Sequence, residues 1–350
     1  MRRRVVTTAL LTGCALVLAA APASADPAGP TNYTSQVTGI EPPTDTIAVA
    51  IRGGDAFVEL TVAPGTTAEV EGYDGEPYLR VLPDGTVERN EASPARWLND
   101  ARYGAEETTV PPEASADAPP RWEQVAGGGT YAWHDHRIHW MVPTLPGSVD
   151  PTGGESQPVT SWELPVTVDE TPVTVSGELT WSPPVSPLPA LAVVVLVAAL
   201  GVISALRHPA ASLATTVLGV VAAGTVGLAG ALGLPPGADA DPALLVLPVV
   251  SAALVVVAVV VRGRPGLGAQ LIGPLAGVPL LVWSVLLLRA LTAPVVPTAL
   301  PDVVARLLVA VALGAGLAAL VAAVRAVLAP PVPPAPGDDP VAGSSDVVVG

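Results

Sequence analysis

The chain of 350 residues is 50% hydrophobic and 13% charged, with a mean hydropathy of +0.53, a balance that excludes an ordinary soluble enzyme. Sixteen arginines and no lysine stand against 31 acidic residues, and the formal charge of −15 disfavours nucleic acid as a partner. Forty prolines and 34 glycines are spread through readable segments, which excludes collagen and wholesale disorder.

Arg2, Arg3 and Arg4, an apolar run from Val5 to Ala21 and the small residues Ala23-Ser24-Ala25 make residues 1–25 a secretory signal peptide. Leu11-Thr12-Gly13-Cys14 offers a rival lipoprotein box, but the apolar run before Cys14 is short and continues past it. Cleavage after Ala25 leaves a chain without cysteine, and therefore without disulfides or thiol chemistry.

Residues 26–187 carry 25 acidic side chains and seven arginines, a net of −18, so the acidity of the chain is concentrated here. Their pattern is β. Runs at Thr46 to Ile51 and Asp55 to Val62 are rich in β-branched residues, and Tyr78 to Leu82 meets Thr86 to Arg89 across Pro83-Asp84-Gly85. A second hairpin is expected from Trp162 to Val168 and Val173 to Trp181, turning at Asp169-Glu170-Thr171-Pro172. Ser93-Pro94 before Ala95-Arg96-Trp97-Leu98 predicts one short helix, with a capping serine and proline in its first turn. Residues 106–120 read as an exposed loop. The fold class expected is an all-β, immunoglobulin-like sandwich outside the membrane, followed by an all-α transmembrane bundle of five helices.

One run inside the β region carries metal-binding chemistry. In Gly127-Gly128-Gly129-Thr130-Tyr131-Ala132-Trp133-His134-Asp135-His136-Arg137-Ile138-His139-Trp140-Met141, three of the four histidines and the only methionine beyond Met1 fall within eight residues. On an extended strand His134 and His136 share a face, and a turn near Arg137 brings His139 or Met141 into reach. Imidazole with thioether suits Cu(I), and imidazoles with Asp135 suit Cu(II) or Zn(II), so copper leads the candidates. The structural alternative pairs Asp135 with Arg137 and sets the histidines on backbone carbonyls in an aromatic seam with Trp133 and Trp140. Clustered imidazoles also suit acid sensing, and Tyr131, Trp133 and Trp140 suit docking on lipid or on helix ends. No Gly-x-Ser-x-Gly elbow, His-Glu-x-x-His helix, phosphate loop or cysteine nucleophile occurs, so a non-catalytic role is expected.

From Leu188 the composition turns apolar, with expected spans at 188–206, 213–234, 243–261, 267–288 and 303–324. The signal peptide sets residues 26–187 outside. Arg207, Arg262, Arg264 and Arg325 then fall on the cytoplasmic side, against Arg289 and Arg306 on the other, in keeping with the positive-inside rule. Arg306, one turn inside the last span, is the only ionisable residue within the spans, which disfavours ion or proton transport. Gly219, Gly224, Gly227, Gly230, Gly314 and Gly316 allow close helix approach, and Pro274 and Pro279 should kink the fourth span. Residues 329–350, rich in Pro, Asp and Ser, read as a disordered cytoplasmic tail.

Four pieces of the exported part, Gly53 to Leu60, Gly72 to Arg80, Ser93 to Asn99 and Trp133 to Met141, resemble a family of actinobacterial exported membrane proteins without an assigned activity. The resemblance spans roughly residues 31–182 and implies a β-rich domain in a bacterial envelope. The expectation is thus a multi-pass plasma-membrane protein, its N-terminal domain extracytoplasmic and its C-terminus cytoplasmic, with the lipid bilayer as partner. Its external domain would bind a ligand, copper first. The alternative is a scaffold for an envelope protein partner, with a purely structural His/Trp cluster.

Overall fold

The computed structural model describes residues 28–100, 109–207, 212–262 and 267–328. The expected signal peptide with Cys14, the part of the expected 106–120 loop up to residue 108, Arg264 and the expected tail 329–350 lie outside the described residues.

Among the described residues ten strands form two sheets. In chain order they are β1 (Tyr33–Glu41), β2 (Ile47–Arg52), β3 (Phe57–Val62), β4 (Ala68–Glu71), β5 (Pro77–Val81), β6 (Val87–Asn90), β7 (Trp122–Ala126), β8 (Thr130–Trp133), β9 (Gln157–Val168) and β10 (Thr171–Trp181). The larger sheet runs β1-β10-β9-β4-β5-β6-β7 and the smaller β2-β3-β8, with antiparallel pairing throughout. This is a β-sheet sandwich, with seven strands against three rather than the four against three of a constant-type immunoglobulin domain.

Alternation drives the layering. Trp162, Leu164, Val166 and Val168 of β9 and Val173, Val175, Leu179 and Trp181 of β10 are buried, while Glu163 and Glu178 between them are exposed. All of these buried side chains except Trp181 meet Val58, Leu60 and Val62 of β3 and Tyr131 and Trp133 of β8 in one core. With phenylalanine almost absent, valines, leucines and tryptophans fill it, each fully buried side chain contributing roughly 1.5–3 kcal/mol. The β9–β10 hairpin turns on Asp169 and Glu170 alone, at φ 44° and 67°, so β10 starts at Thr171, inside the expected turn. The expected short helix is α1 (Pro94–Leu98): Ser93 Oγ accepts from Ala95 N–H at 3.1 Å and donates to the buried Glu76 carboxylate at 2.5 Å.

The chain then enters α2 (Leu188–Arg207), α3 (Ser212–Leu232), α4 (Pro242–Val260), α5 (Leu267–Leu275), α6 (Gly277–Leu286) and α7 (Asp302–Leu328). Among the described residues four helices, α2, α3, α4 and α7, are long and apolar enough to cross a membrane. The expected fourth span, 267–288, reaches no such length as a single helix, so the five-helix count is not confirmed. It is divided at Ala276 into α5 and α6, with Pro274 in the last turn of one and Pro279 in the first turn of the other, and a 3₁₀ turn (Leu288–Leu291) follows. Helix α7 is central, burying Ala305, Val309, Ala310, Ala312 and Ala315. Close approach depends on Gly219 and Gly314, where an added Cβ would come within 2.5 Å of Ala315 Cβ and 2.7 Å of Val194 O, whereas Gly224 and Gly230 face open space. Arg306 is buried, and among the described residues no carboxylate is in hydrogen-bonding contact with it. Its Nε and Nη2 donate to the Ala290 and Ala293 carbonyls at 3.1 and 2.6 Å, closing the turn after α6.

The sandwich is strapped to one end of the bundle. Thr31 and Val295 exchange N–H···O bonds of 3.1 and 3.2 Å, Val185 N–H donates to Thr292 O at 2.8 Å, and Ala132 N–H donates to Pro236 O at 3.0 Å. The last bond sets the back of β8 against the loop between α3 and α4, where Ala56, Phe57 and Ala132 pack with Leu234 and Ala238. Gly237 permits this approach. Its φ is +93° and an added Cβ would sit 2.6 Å from the Tyr131 ring.

Candidate metal centre

The histidine run is shaped by where β8 stops. Strand pairing with β3 ends at Trp133, opposite Val58. Asp135 then caps a 3₁₀ turn (His136–Ile138), its Oδ1 accepting from Arg137 N–H at 3.0 Å, and Ile138 is driven fully into the core. The turn sends the chain back, so that His139 lands on His134. The expected extended strand through His136 is therefore not formed, and the pairing of His134 is with His139 across the turn.

Three imidazoles converge. His134 and His139 are buried and His136 is partly buried, and one nitrogen of each lies within 4.8 Å of those of the others. The shortest separation is between His134 Nε2 and His139 Nε2, at 3.1 Å. Their other nitrogens meet backbone carbonyls, His134 Nδ1 on Ala56 O at 2.8 Å and His139 Nδ1 on Trp140 O at 3.1 Å. A carbonyl can only accept, so both Nδ1 atoms carry the proton in the neutral ring. Both Nε2 atoms then face each other across one gap, which a single shared proton or a metal ion satisfies.

The His134–His139 pair has the bite of a metal site, whereas the three nitrogens together spread over up to 4.8 Å, so His136 must move inward to join one ion. Bonds of ~2.0–2.1 Å put adjacent nitrogens roughly 2.9 Å apart at a right angle and roughly 3.4 Å apart at the tetrahedral angle. The observed 3.1 Å lies between. The Nδ1–H···O=C bonds are the outer-shell contacts that fix the tautomer and ring orientation of metal-ligating histidines. His136 is held by its neighbours too: its ring stacks on Tyr73 at 5.7 Å between centroids, and its backbone N–H donates to the Tyr73 hydroxyl at 2.8 Å.

The remaining expected residues are placed differently. Asp135 is fully buried and turned away to a bidentate pair with Arg137, Oδ1 to Nε and Oδ2 to Nη2 both at 2.8 Å, while Trp133 Nε1–H donates to Oδ2 at 2.8 Å. Burial disfavours its charge, but the Arg137 guanidinium and these hydrogen bonds outweigh that and hold the Asp135 carboxyl below the usual carboxylate range. Asp135 thus supports the turn, and the three-histidine group does not include it. Arg137 Nη1 donates to Glu71 O at 3.1 Å and its guanidinium lies over the Tyr73 ring at 5.1 Å. Met141 is partly buried two residues beyond His139. Trp140 Nε1–H donates to Thr144 O at 2.7 Å, and Tyr131 rests against Gly237. Two supporting residues were not singled out from the sequence, although both lie in stretches that carry the resemblance: Tyr73, and Asn99, whose Oδ1 accepts from the Tyr73 hydroxyl.

Comparison of the chain with protein-family models, with curated proteins and with solved structures finds no match. The chemistry of the centre follows from its own atoms, and these show a histidine cluster able to hold a metal ion.

Proposed function

We propose that this is a non-catalytic membrane protein of a bacterial envelope whose extracytoplasmic β domain binds a transition-metal ion, copper first, through His134, His136 and His139. The facing Nε2 atoms of His134 and His139 carry the reading, because each Nδ1 is already committed to a carbonyl. The structural alternative is half fulfilled, since those carbonyl bonds and the Asp135–Arg137 pair exist. They support a metal reading equally well, as the scaffold that aims the lone pairs. Three imidazoles without thiolate suit Cu(II) and Zn(II), and copper stands above zinc in intrinsic affinity for nitrogen ligands. The arginine distribution supports the orientation when α5 and α6 together serve as the fourth crossing, returning the chain to Thr292 and Val295 at the sandwich end.

The test is titration of the full chain in lipid nanodiscs with Cu(II) and with Zn(II), beside the triple variant His134→Ala, His136→Ala, His139→Ala. One equivalent bound by the parent and an affinity at least a hundredfold weaker in the variant are expected. No binding by the parent, or equal binding by both, overturns the reading.

A further inference from the structure

Between His139 and Asp150 the chain runs from Trp140 to Val149 without one ionisable side chain, inside an otherwise acidic domain. Val142 and Leu145 are 46% and 39% exposed, and among the described residues ahead of α2 they are the two large hydrophobic side chains left so open. Their exposure is built into the segment. Pro146 and Val149 are buried, and Val149 N–H donates to Pro146 O at 3.1 Å, so the segment turns on these two and leaves Val142 and Leu145 outside. Trp140, partly buried, has its single polar side-chain atom satisfied internally, Nε1–H donating to Thr144 O at 2.7 Å, so its ring can leave water without stranding a donor.

Both ends of the segment are fixed where the sandwich meets the bundle. His139 sits on His134, His134 Nδ1 meets Ala56 O at 2.8 Å, and Ala56 packs with Leu234 and Ala238 of the loop between α3 and α4. At the other end Asp150 N–H donates to Gln157 Oε1 at 2.9 Å, and Gln157 Nε2 donates back to Asp150 O at 2.7 Å. Gln157 pairs with Trp181, and α2 begins seven residues further on, at Leu188. Leu188 and Leu191 are exposed in the first turns of that apolar helix, which marks the level where hydrocarbon begins.

An uncharged segment led by a tryptophan and tipped with aliphatic side chains, held at that level, has the makeup of an interfacial anchor. The exposed Asp150 and Glu155 follow it, so the surface it fits is a zwitterionic lipid face rather than an anionic one, which would repel them.

We propose that residues 140–149 rest in the headgroup layer of the bilayer around the helices, with Val142 and Leu145 reaching the acyl boundary and Trp140 lying at the interface. The inference goes beyond metal binding and stands without it. Because His139 Nδ1 is held by Trp140 O, the anchor also ties His139 to the bilayer surface.

Nitroxide depth measurement on the full chain in phosphatidylcholine nanodiscs tests this. In a Cys14→Ser chain the label is carried by Leu145→Cys or by Val142→Cys, with Thr171→Cys as the reference, exposed at the end of the β9–β10 hairpin remote from Gln157. Oxygen concentrates in lipid and chromium oxalate stays in water. The ratio of oxygen to chromium oxalate collision rates at 145 and 142 should exceed that at 171 by about threefold or more, as for side chains roughly 5–10 Å into the interface. Circular dichroism reports whether each labelled chain folds, and either site decides where the other does not fold. A ratio equal to that at 171 places the segment in water, and low collision rates with both reagents place it under a second copy or another protein. Either result overturns the proposal. A lipid-like ratio in a chain that binds no Cu(II) leaves it standing and removes the metal reading alone.

Discussion

His134 and His139 meet Nε2 to Nε2 at 3.1 Å, each with its Nδ1 turned onto a backbone carbonyl. The two rings act as a preset pair, while His136 reaches the gap from the rim on the Tyr73 ring. Single substitutions should therefore grade. His134→Ala and His139→Ala are expected to weaken Cu(II) roughly a hundredfold or more, and His136→Ala less, read by competition against a chelator of known affinity.

Asp135 acts on the site through the turn it caps. Asp135→Asn keeps the volume but leaves the buried Arg137 guanidinium without its counter-charge and weakens the cap. Removing one partner of a buried pair costs about 3–5 kcal/mol, so a drop of several degrees in melting temperature is expected. Metal affinity should fall roughly tenfold to a hundredfold with it, as for other outer-shell changes.

High pH should destabilise the sandwich through its buried phenols. Burial, more than any other influence, holds Tyr78 and Tyr73 above the ordinary tyrosine range, so the folded chain keeps them neutral. The unfolded chain ionises them near pH ~10. Their contribution is complete below that value and declines as pH rises beyond it. Absorbance of phenolate near 295 nm should thus stay below its full amplitude in folded protein and complete only with unfolding. Full ionisation without loss of β circular dichroism contradicts this.

Gly177 of β10 is a packing requirement. It pairs with Trp162 of β9, whose indole crosses it and donates to Ser35 Oγ at 2.7 Å. An added Cβ would lie 2.0 Å from that ring. Gly177→Ala is expected to cost about 1–3 kcal/mol, visible as a lower melting temperature without loss of metal binding.

Much of the β domain was legible because its signals are local. The hairpins at Pro83-Asp84-Gly85 and at Asp169-Glu170 and the Ser93-Pro94 helix start each follow from a few adjacent residues. The His134–His139 contact was not, because it depends on β8 ending at Trp133 and on Asp135 serving as a cap. Asp135 read as a ligand by residue type, and burial beside Arg137 and Trp133 decided otherwise. The break in the fourth apolar run was legible, since Pro274 and Pro279 were expected to kink it and the run divides at Ala276 between them. Tyr73 and Asn99 are separated from the histidine run by 61 and 35 residues at the nearest, Tyr73 to His134 and Asn99 to His134, and no periodicity links them.

Electron spin-echo spectroscopy of the Cu(II)-loaded full chain tests the central assignment most directly, because the remote protonated nitrogen of a copper-bound imidazole modulates the echo. Binding through Nε2 with Nδ1–H held on carbonyls should give modulation from at least two equivalent imidazoles, lost in the His134→Ala, His139→Ala double variant. Modulation unchanged in that variant, or a parent spectrum without imidazole nitrogen, contradicts it.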